Sequence, residues 1–568
     1  MRKHTETITR SPRRVLALVL AFCLLMALLP TLSFAADKPK PDAKPIGKPD
    51  SSARDGQADG RRFKAIAPAQ DVPAEVSGDF EYELYEYWDG SKTVLGAAIT
   101  EYLGNAASVI IPASLVGYPV VEIGEAAFEG RDMVSLTIPN GVVYIGSYAF
   151  GDCENLTNVT IPNSVIEIGW EAFAGTPWLD NQSDQDYVVV GGGVLIQYNG
   201  IGTDLVLPSN VRYIGNVFDG NSEITSVVLP EGITSIPAYA FADCLEMKSL
   251  TLPDSLIYID DSAFSFCVSL ESITIPANVE HIGNYAFKGC YQITSVVIPS
   301  GVTYIGWEAF AFCDELASVT IPVSVSYIGE GAFLDTPWFE GLTVPYVVVG
   351  DGVLIKFNGS GTTATVPDGV RHVSNAFAGN STLTSVTLPE GVRSIGDLAF
   401  YECEALESFT FPSSIREIGW CAFEDCYSLQ DAYFEGLPPE LLEYEYQYEG
   451  DDNFYSDPVF SGMSSSFVLY YPAAYAAAWA PSGKTTWYSY SIAPYDFDVS
   501  ITYGDANCDG KITAADAALI LRFIVRLDPL IGRGLANADA NGDAKITAAD
   551  AAQILRFIVK LENKLGPK

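Results

Sequence analysis

A phenylalanine returns every 22 or 23 residues through most of this chain, and that spacing constrains the fold more than any other feature. Phe128, Phe150, Phe173, Phe218, Phe241, Phe264, Phe287, Phe310, Phe333, Phe377, Phe400 and Phe423 each follow Ala or Val. Two gaps are doubled, to 45 and 44 residues, and they match each other: Thr176-Pro177-Trp178 with Tyr187 to Val190 recurs as Thr336-Pro337-Trp338 with Tyr346 to Val349. A block of about 160 residues is therefore duplicated on top of the short repeat.

One clear copy runs Ser318-Val-Thr-Ile-Pro322, then Val325-Ser-Tyr-Ile-Gly329, then Ala332-Phe333. Alternation places Val319 and Ile321 on one face of a strand and Ser318 and Thr320 on the other. Pro322 closes the strand, the glycine turns the chain, and the Ala-Phe pair carries a ring inward. A single unit of this size cannot bury its own apolar face, whereas stacked units share a continuous core. The expected fold is a mainly β solenoid of 23-residue coils.

The pattern Cys-x-x-Leu-x-Ser-Val-Thr-Ile-Pro-x-x-Val-x-x-Ile-Gly-x-x-Ala-Phe resembles the BspA-type leucine-rich repeat family of bacterial surface proteins. The resemblance assigns residues 78–433 to a repeat solenoid, with an irregular first coil from Gly78 to Gly117. Residues 434–499, with Tyr470-Tyr471-Pro472 and Trp479, are similar to that family's closing cap. It implies adhesion or protein binding and no reaction.

Two columns of the repeat could face a ligand. Serine and threonine recur on the strand face, with Thr251, Thr274 and Thr320 in one column, and stacking predicts a flat hydroxyl surface. Their rival is the position before the second isoleucine, occupied by Tyr144, Tyr213, Tyr258, Tyr304 and Tyr327, whose rings could stack on sugars or protein partners. His281 and His372 occupy that same column, and interchange with tyrosine predicts a surface packing position rather than a catalytic base. Cys153, Cys244, Cys267, Cys290, Cys313, Cys403 and Cys426 all lie three residues after the repeat Phe. Identical placement in each coil predicts a buried column of thiols packed as small hydrophobes; oxidation of neighbouring pairs is the alternative that an exported protein raises.

Export is expected from the first 35 residues. Arg2, Lys3, Arg10, Arg13 and Arg14 precede an apolar run from Val15 to Leu29, which ends in Ser33-Phe34-Ala35, the layout of a secretory signal peptide. The run is shorter than the ~20 residues a spanning helix needs, so no membrane insertion is expected. Residues 36–77, rich in Pro, Lys, Asp and Ala, read as a disordered linker. The formal net charge is −39, which argues against a nucleic-acid partner.

Near the C-terminus, Asp505-Ala-Asn-Cys-Asp-Gly-Lys-Ile-Thr-Ala-Ala-Asp516 recurs as Asp539-Ala-Asn-Gly-Asp-Ala-Lys-Ile-Thr-Ala-Ala-Asp550. Oxygen ligands at positions 1, 3, 5 and 12 of such a loop suit Ca²⁺, a hard cation of high coordination number. The candidate ligands are Asp505, Asn507, Asp509 and Asp516 with the Lys511 carbonyl, and Asp539, Asn541, Asp543 and Asp550 with the Lys545 carbonyl. Each loop leads into an expected helix; Ile520, Phe523, Ile524 and Leu527 share one face of the first. Two loop-helix units with Asp at position 12 are similar to a type I dockerin, a small all-α module, here residues 500–568. The resemblance implies two calcium sites and binding to a cohesin domain of a scaffolding protein, as in cellulosome-type assemblies. Its contact residues map onto Ala514, Ala515 and Arg522 in one copy and Ala548, Ala549 and Arg556 in the other. The Ala-Ala pairs stand where hydroxyl or charged residues are common in that family.

These segments use essentially the whole chain and leave too little for an ordinary catalytic domain. The sequence therefore reads as a secreted, non-catalytic binding or adhesion protein in an extracellular or cell-surface complex of a bacterium. Its ligand would be a polysaccharide or a host or cell-surface protein, and the complex one linked to polysaccharide degradation. A polysaccharide-acting hydrolase with its site on the solenoid and a purely structural spacer are the alternatives, since acidic pairs are too frequent for any one to be singled out.

Overall fold

The computed structural model describes residues 65–68, 75–88, 93–442, 444–446, 455–463, 466–495, 512, 516–518, 520 and 551–554. The expected signal segment, 1–35, lies outside the described residues. Through the repeats, each 23-residue unit forms one coil with three sides. On the first side, three-residue strands such as Asn158–Thr160, Ser226–Val228, Ser249–Thr251 and Ser318–Thr320 pair in parallel, residue for residue, with the neighbouring coil. On the second, two-residue strands align Tyr258 with His281, His281 with Tyr304 and Tyr304 with Tyr327. The third side is a run of turns whose amides donate to the next coil, as from Phe264 N to Ala286 O and from Phe400 N to Ala422 O, both at 2.8 Å.

Inside, the repeat phenylalanines stack: Phe241, Phe264, Phe287 and Phe310 are fully buried, with successive centroids 5.1–5.5 Å apart. The glycine after Ile explains how closely the coils approach. A Cβ added at Gly306 would lie 2.5 Å from Asn284 N and 2.6 Å from Gly283 C, backbone atoms of the previous coil that no rotamer change can move.

The doubled gaps hold a different unit. Thr176 and Thr336, both fully buried, cap short helices Pro177–Asp180 and Pro337–Glu340. Trp178 and Trp338 then pack on Phe173 and Phe333, each with centroids 4.8 Å apart. Antiparallel hairpins follow, pairing Tyr187–Val190 with Val194–Tyr198 and Tyr346–Val349 with Val353–Phe357. The second strand of each rejoins the parallel ladder, Val194 opposite Tyr213 and Val353 opposite His372. Tyr198 and Phe357 take the missing phenylalanine's place in the column, against Phe218 and Phe377. The core divides at the same points, into segments running from Tyr82 to Val194, Leu195 to Ile355 and Leu354 to Ile492.

At the N-terminal end the antiparallel pair Phe80–Trp88 and Thr93–Tyr102 joins the ladder through Tyr118–Ile123. Here the unstructured stretch expected through residue 77 is corrected: Ala65–Pro68 and Glu75–Ser77 add antiparallel to Phe80–Trp88. Backbone pairing to an existing edge strand suffices, and needs few apolar side chains of its own. At the other end Asp431–Phe434, Val468–Pro472 and Tyr490–Tyr495 prolong the first-side ladder in parallel. Phe460 extends the ring column, 5.2 Å from Phe423, and buried Trp479 donates from Nε1 to Gly436 O at 2.9 Å.

Candidate functional site

The strand face is less uniform than a hydroxyl surface. Thr251 and Thr320 are exposed within strands, but Thr274, though exposed, belongs to no strand, so the ladder is interrupted at its coil. In other coils the threonine column holds Ile110, Val206 and Val297, each about 70% exposed. Several hydroxyls also turn to protein neighbours: Ser135 Oγ donates to Ser108 Oγ at 2.8 Å, and Ser226 Oγ to Asp204 Oδ1 at 2.7 Å. The hydrogen bonds from Ser226 and Thr225 hold the Asp204 carboxyl below its usual pKa.

The tyrosine column is a stack of half-buried rings. Tyr304 and Tyr327 lie parallel at 4.7 Å, and His281 lies parallel to Tyr304 at 4.4 Å. Their faces cover one another. Tyr258 stands 6.4 Å from His281 at 51°. His372 departs from the expected surface position: it is fully buried beside Tyr327, with Nδ1 2.7 Å from Ser394 Oγ. Burial lowers its pKa to about 4, so its imidazole is neutral at physiological pH.

The seven repeat cysteines are buried thiols, with no disulfide among the described residues. Each donates to the carbonyl of the phenylalanine one coil back, as from Cys244 Sγ to Phe218 O at 3.1 Å and from Cys313 Sγ to Phe287 O at 3.3 Å. Burial raises the thiol pKa of Cys153 to about 11 and of Cys313 to about 12, which keeps these two from acting as nucleophiles. Cys421 is buried too, but two residues before Phe423 and at φ 48°, outside the column.

The hairpin junctions hold a feature that sequence reasoning missed. At the first, a cavity of about 320 Å³ opens between Trp170-Glu171 and Asn216-Val217, with Leu179 and Gln197 on its walls. Trp170 is 50% exposed and meets Tyr148 edge-to-face at 5.2 Å. Gln197 Nε2 donates to Asn199 Oδ1, while its buried Oε1 has no hydrogen-bond partner. At the second junction Lys356 stands in the place of Gln197, with its Nζ 2.9 Å from Phe339 O and 4.4 Å from the Phe339 ring centroid. Nearby, Trp307 donates from Nε1 to Asp397 Oδ2 at 3.1 Å, and Asp397 Oδ1 accepts from Trp420 N. The one available signal was the mismatch between the duplicated blocks at these positions, Trp170 against Glu330 and Gln197 against Lys356.

Of the calcium-loop residues, Asp505, Asn507, Asp509, Lys511, Asp539, Asn541, Asp543, Lys545 and Asp550 lie outside the described residues, as do Ala514, Ala515, Arg522, Ala548, Ala549 and Arg556. Asp516 is described: it lies in a helical stretch whose described residues are 516–518 and 520, and it is fully buried. Ala517 and Ile520, and likewise Ala551 and Ile554, are buried at helical spacing. The all-oxygen donor set of both loops fits Ca²⁺. No helix among the described residues is long and apolar enough to cross a membrane.

Comparison with known proteins gives two family matches. The BspA type leucine rich repeat region matches residues 121–216, 212–339 and 358–447, and the dockerin type I domain matches residues 503–559. No curated protein matches the chain significantly. Among solved structures, a leucine rich cell surface protein of Faecalibacterium prausnitzii is 28% identical, covering 65% of this chain and 96% of its own, with a TM-score of 0.25. A leucine-rich repeat protein of Bacteroides ovatus is 23% identical over 74% of this chain and 100% of its own, with a TM-score of 0.26. The leucine rich repeat protein of T. pallidum is 22% identical over 48% and 89%, with a TM-score of 0.17.

Proposed function

Because this chain belongs to the BspA-type leucine-rich repeat family and carries a type I dockerin domain, we propose that it is an exported, non-catalytic binding protein held on a cohesin-bearing scaffold. The observation that carries this reading is the union of the two modules in one chain: a repeat region that presents extended faces, and a docking module. The complex would lie outside the cell or at the bacterial surface and take part in polysaccharide degradation, with the repeats supplying contact to a polysaccharide or a cell-surface protein. The self-stacked rings from His281 to Tyr327 favour a second reading, a spacer, because that column keeps its ring faces for itself.

In the dockerin, Asp505, Asn507, Asp509 and Asp516 with the Lys511 carbonyl would hold one Ca²⁺, and Asp539, Asn541, Asp543 and Asp550 with the Lys545 carbonyl a second. Bound there, the ions would offset the carboxylates' mutual repulsion and couple loop folding to metal. Ala514, Ala515 and Arg522, or their counterparts Ala548, Ala549 and Arg556, would then meet the cohesin, and the matching sets permit docking in either of two orientations.

The test is capture of the full chain on a panel of immobilised cohesins with calcium or with EDTA, alongside assay of released sugar from bound polysaccharide. We expect calcium-dependent capture that Arg522→Ala alone leaves in place, and no sugar release. Capture that survives EDTA would overturn the calcium-ordered tether, and released sugar would overturn the non-catalytic reading.

A further inference from the structure

We propose that the cavity at the first hairpin junction is a binding site for a neutral sugar residue of a polysaccharide, with Trp170 as its platform and Gln197, Asn216 and Glu171 as its hydrogen-bonding groups. The proposal rests on the reading of the repeats as polysaccharide-binding and moves the contact away from the tyrosine and threonine columns. The cavity is a product of the duplicated unit. Turns on the third side stack through bonds such as Tyr148 N to Trp170 O (2.9 Å) and Phe150 N to Ala172 O (2.8 Å). After the coil of Phe173 the chain passes through the helix Pro177–Asp180 and the strand Tyr187–Val190, and the strand that rejoins the ladder, Val194–Tyr198, carries no such turn. The space a turn would fill stays open between Glu171 and Asn216.

Its chemistry is amphipathic in the way a pyranose is. Trp170, Leu179 and Val217 provide apolar wall, and Trp170 keeps half its surface exposed although it packs against Tyr148. Aromatic rings of this kind bind the C–H face of a sugar by dispersion and the hydrophobic effect. The polar groups are amides and a carboxylate, which take hydroxyl donors in pairs. Gln197 Oε1, buried without a donor, marks a hydrogen bond that the protein leaves unmade. No lysine, arginine or histidine lines the cavity, and Glu171 stands at its rim, so an anionic ligand is disfavoured.

The second junction acts as an internal control. It descends from the same duplication, yet Glu330 replaces the platform tryptophan and Lys356, tied to Phe339 O, replaces the glutamine. The second junction therefore offers a sugar neither the ring nor the amide.

Affinity electrophoresis of the full chain through gels containing soluble xylan, mixed-linkage β-glucan, mannan or arabinogalactan tests the site. At least one polymer should retard the wild type, and Trp170→Ala and Gln197→Lys should each weaken that interaction roughly tenfold or more. Glu330→Ala should migrate as the wild type. Gln197→Lys keeps the test decisive if Trp170→Ala fails to fold, because lysine is already accommodated at the equivalent place in the second block. Unchanged retardation of both variants would overturn this site while leaving polysaccharide binding elsewhere on the repeats intact. Retardation by none of the four polymers would overturn the sugar site together with the polysaccharide part of the proposed function, and cohesin capture, read separately, would be untouched.

Discussion

Burial turns a position that is tyrosine in several other coils into an acid-sensitive one at His372. Desolvation lowers its folded pKa to about 4 from an ordinary 6.5. The unfolded chain therefore takes up the proton first, and the stability tied to this group is complete above pH ~6.5 and is lost as pH falls from there towards 4. The loss is on the order of 3 kcal/mol. Replacing His372 with Gln should flatten that part of the pH dependence, so thermal melts at pH 7 and pH 4.5 should differ less for the variant than for the wild type; an unchanged difference would assign the acid sensitivity elsewhere. Spacing alone could not reveal this behaviour, because it placed His372 in a half-exposed column without showing that Val353 of the hairpin leaves it enclosed against Tyr327. The cysteines were legible for the opposite reason: their environment is the same in every coil, down to the carbonyl each thiol meets.

At the level of the coil, two kinds of glycine do different jobs, and substitution should separate them. Gly379 adopts φ +71° with open space around its missing Cβ, so Gly379→Ala should cost about 1 kcal/mol through backbone conformation alone. Gly306 has no such φ but faces backbone of the preceding coil at 2.5 Å, and Gly306→Ala should cost up to about 3 kcal/mol by forcing two coils apart. Urea melts of both variants check the order, and equal costs would contradict the close-approach account. The coil itself was readable from sequence because the Phe spacing, the Ser-Val-Thr alternation and the Ile-Gly step agree on one period. The hairpins were not, since Tyr187 to Val190 was visible only as a recurrence and its pairing with Val194–Tyr198 depends on the ladder that the strand rejoins. The left-handed residues before many of the rings were equally hidden: Tyr148, Glu171, Tyr285 and Glu308 adopt φ between 46° and 58°, where intrinsic preference favours glycine or asparagine. Bonds to the next coil, such as Tyr285 N to Trp307 O at 2.7 Å, hold them there.

Over the whole molecule, two modules of different chemistry should respond separately to metal. The repeats are held by bonds and rings between adjacent coils, whereas the proposed Ca²⁺ would hold the dockerin loops, so EDTA should abolish the dockerin's unfolding transition in a calorimetric scan and leave that of the repeats in place. The two loops should also bind unequally. Loop position 6, a sharp turn, is Gly510 in the first and Ala544 in the second, and an L-residue forced to positive φ costs roughly 1–2 kcal/mol, about tenfold or more in affinity. Isothermal titration of the full chain with Ca²⁺ should resolve a tighter and a weaker site; a single site or equal affinities would remove the argument. Both modules could be read from their repeated motifs, whereas the Trp170 cavity could not, because it exists only where a hairpin interrupts the stack of turns. That stack has one more consequence. Since the ladder bonds and ring contacts of a regular coil run to the coil before and the coil after, recombination between repeats can insert or delete whole coils away from the hairpin junctions, where bonds such as Trp307 Nε1 to Asp397 Oδ2 reach further. Each coil gained advances the stack by about 4.8 Å, so length is a heritable variable that selection can tune in fixed increments, independently of the tether and of the pocket.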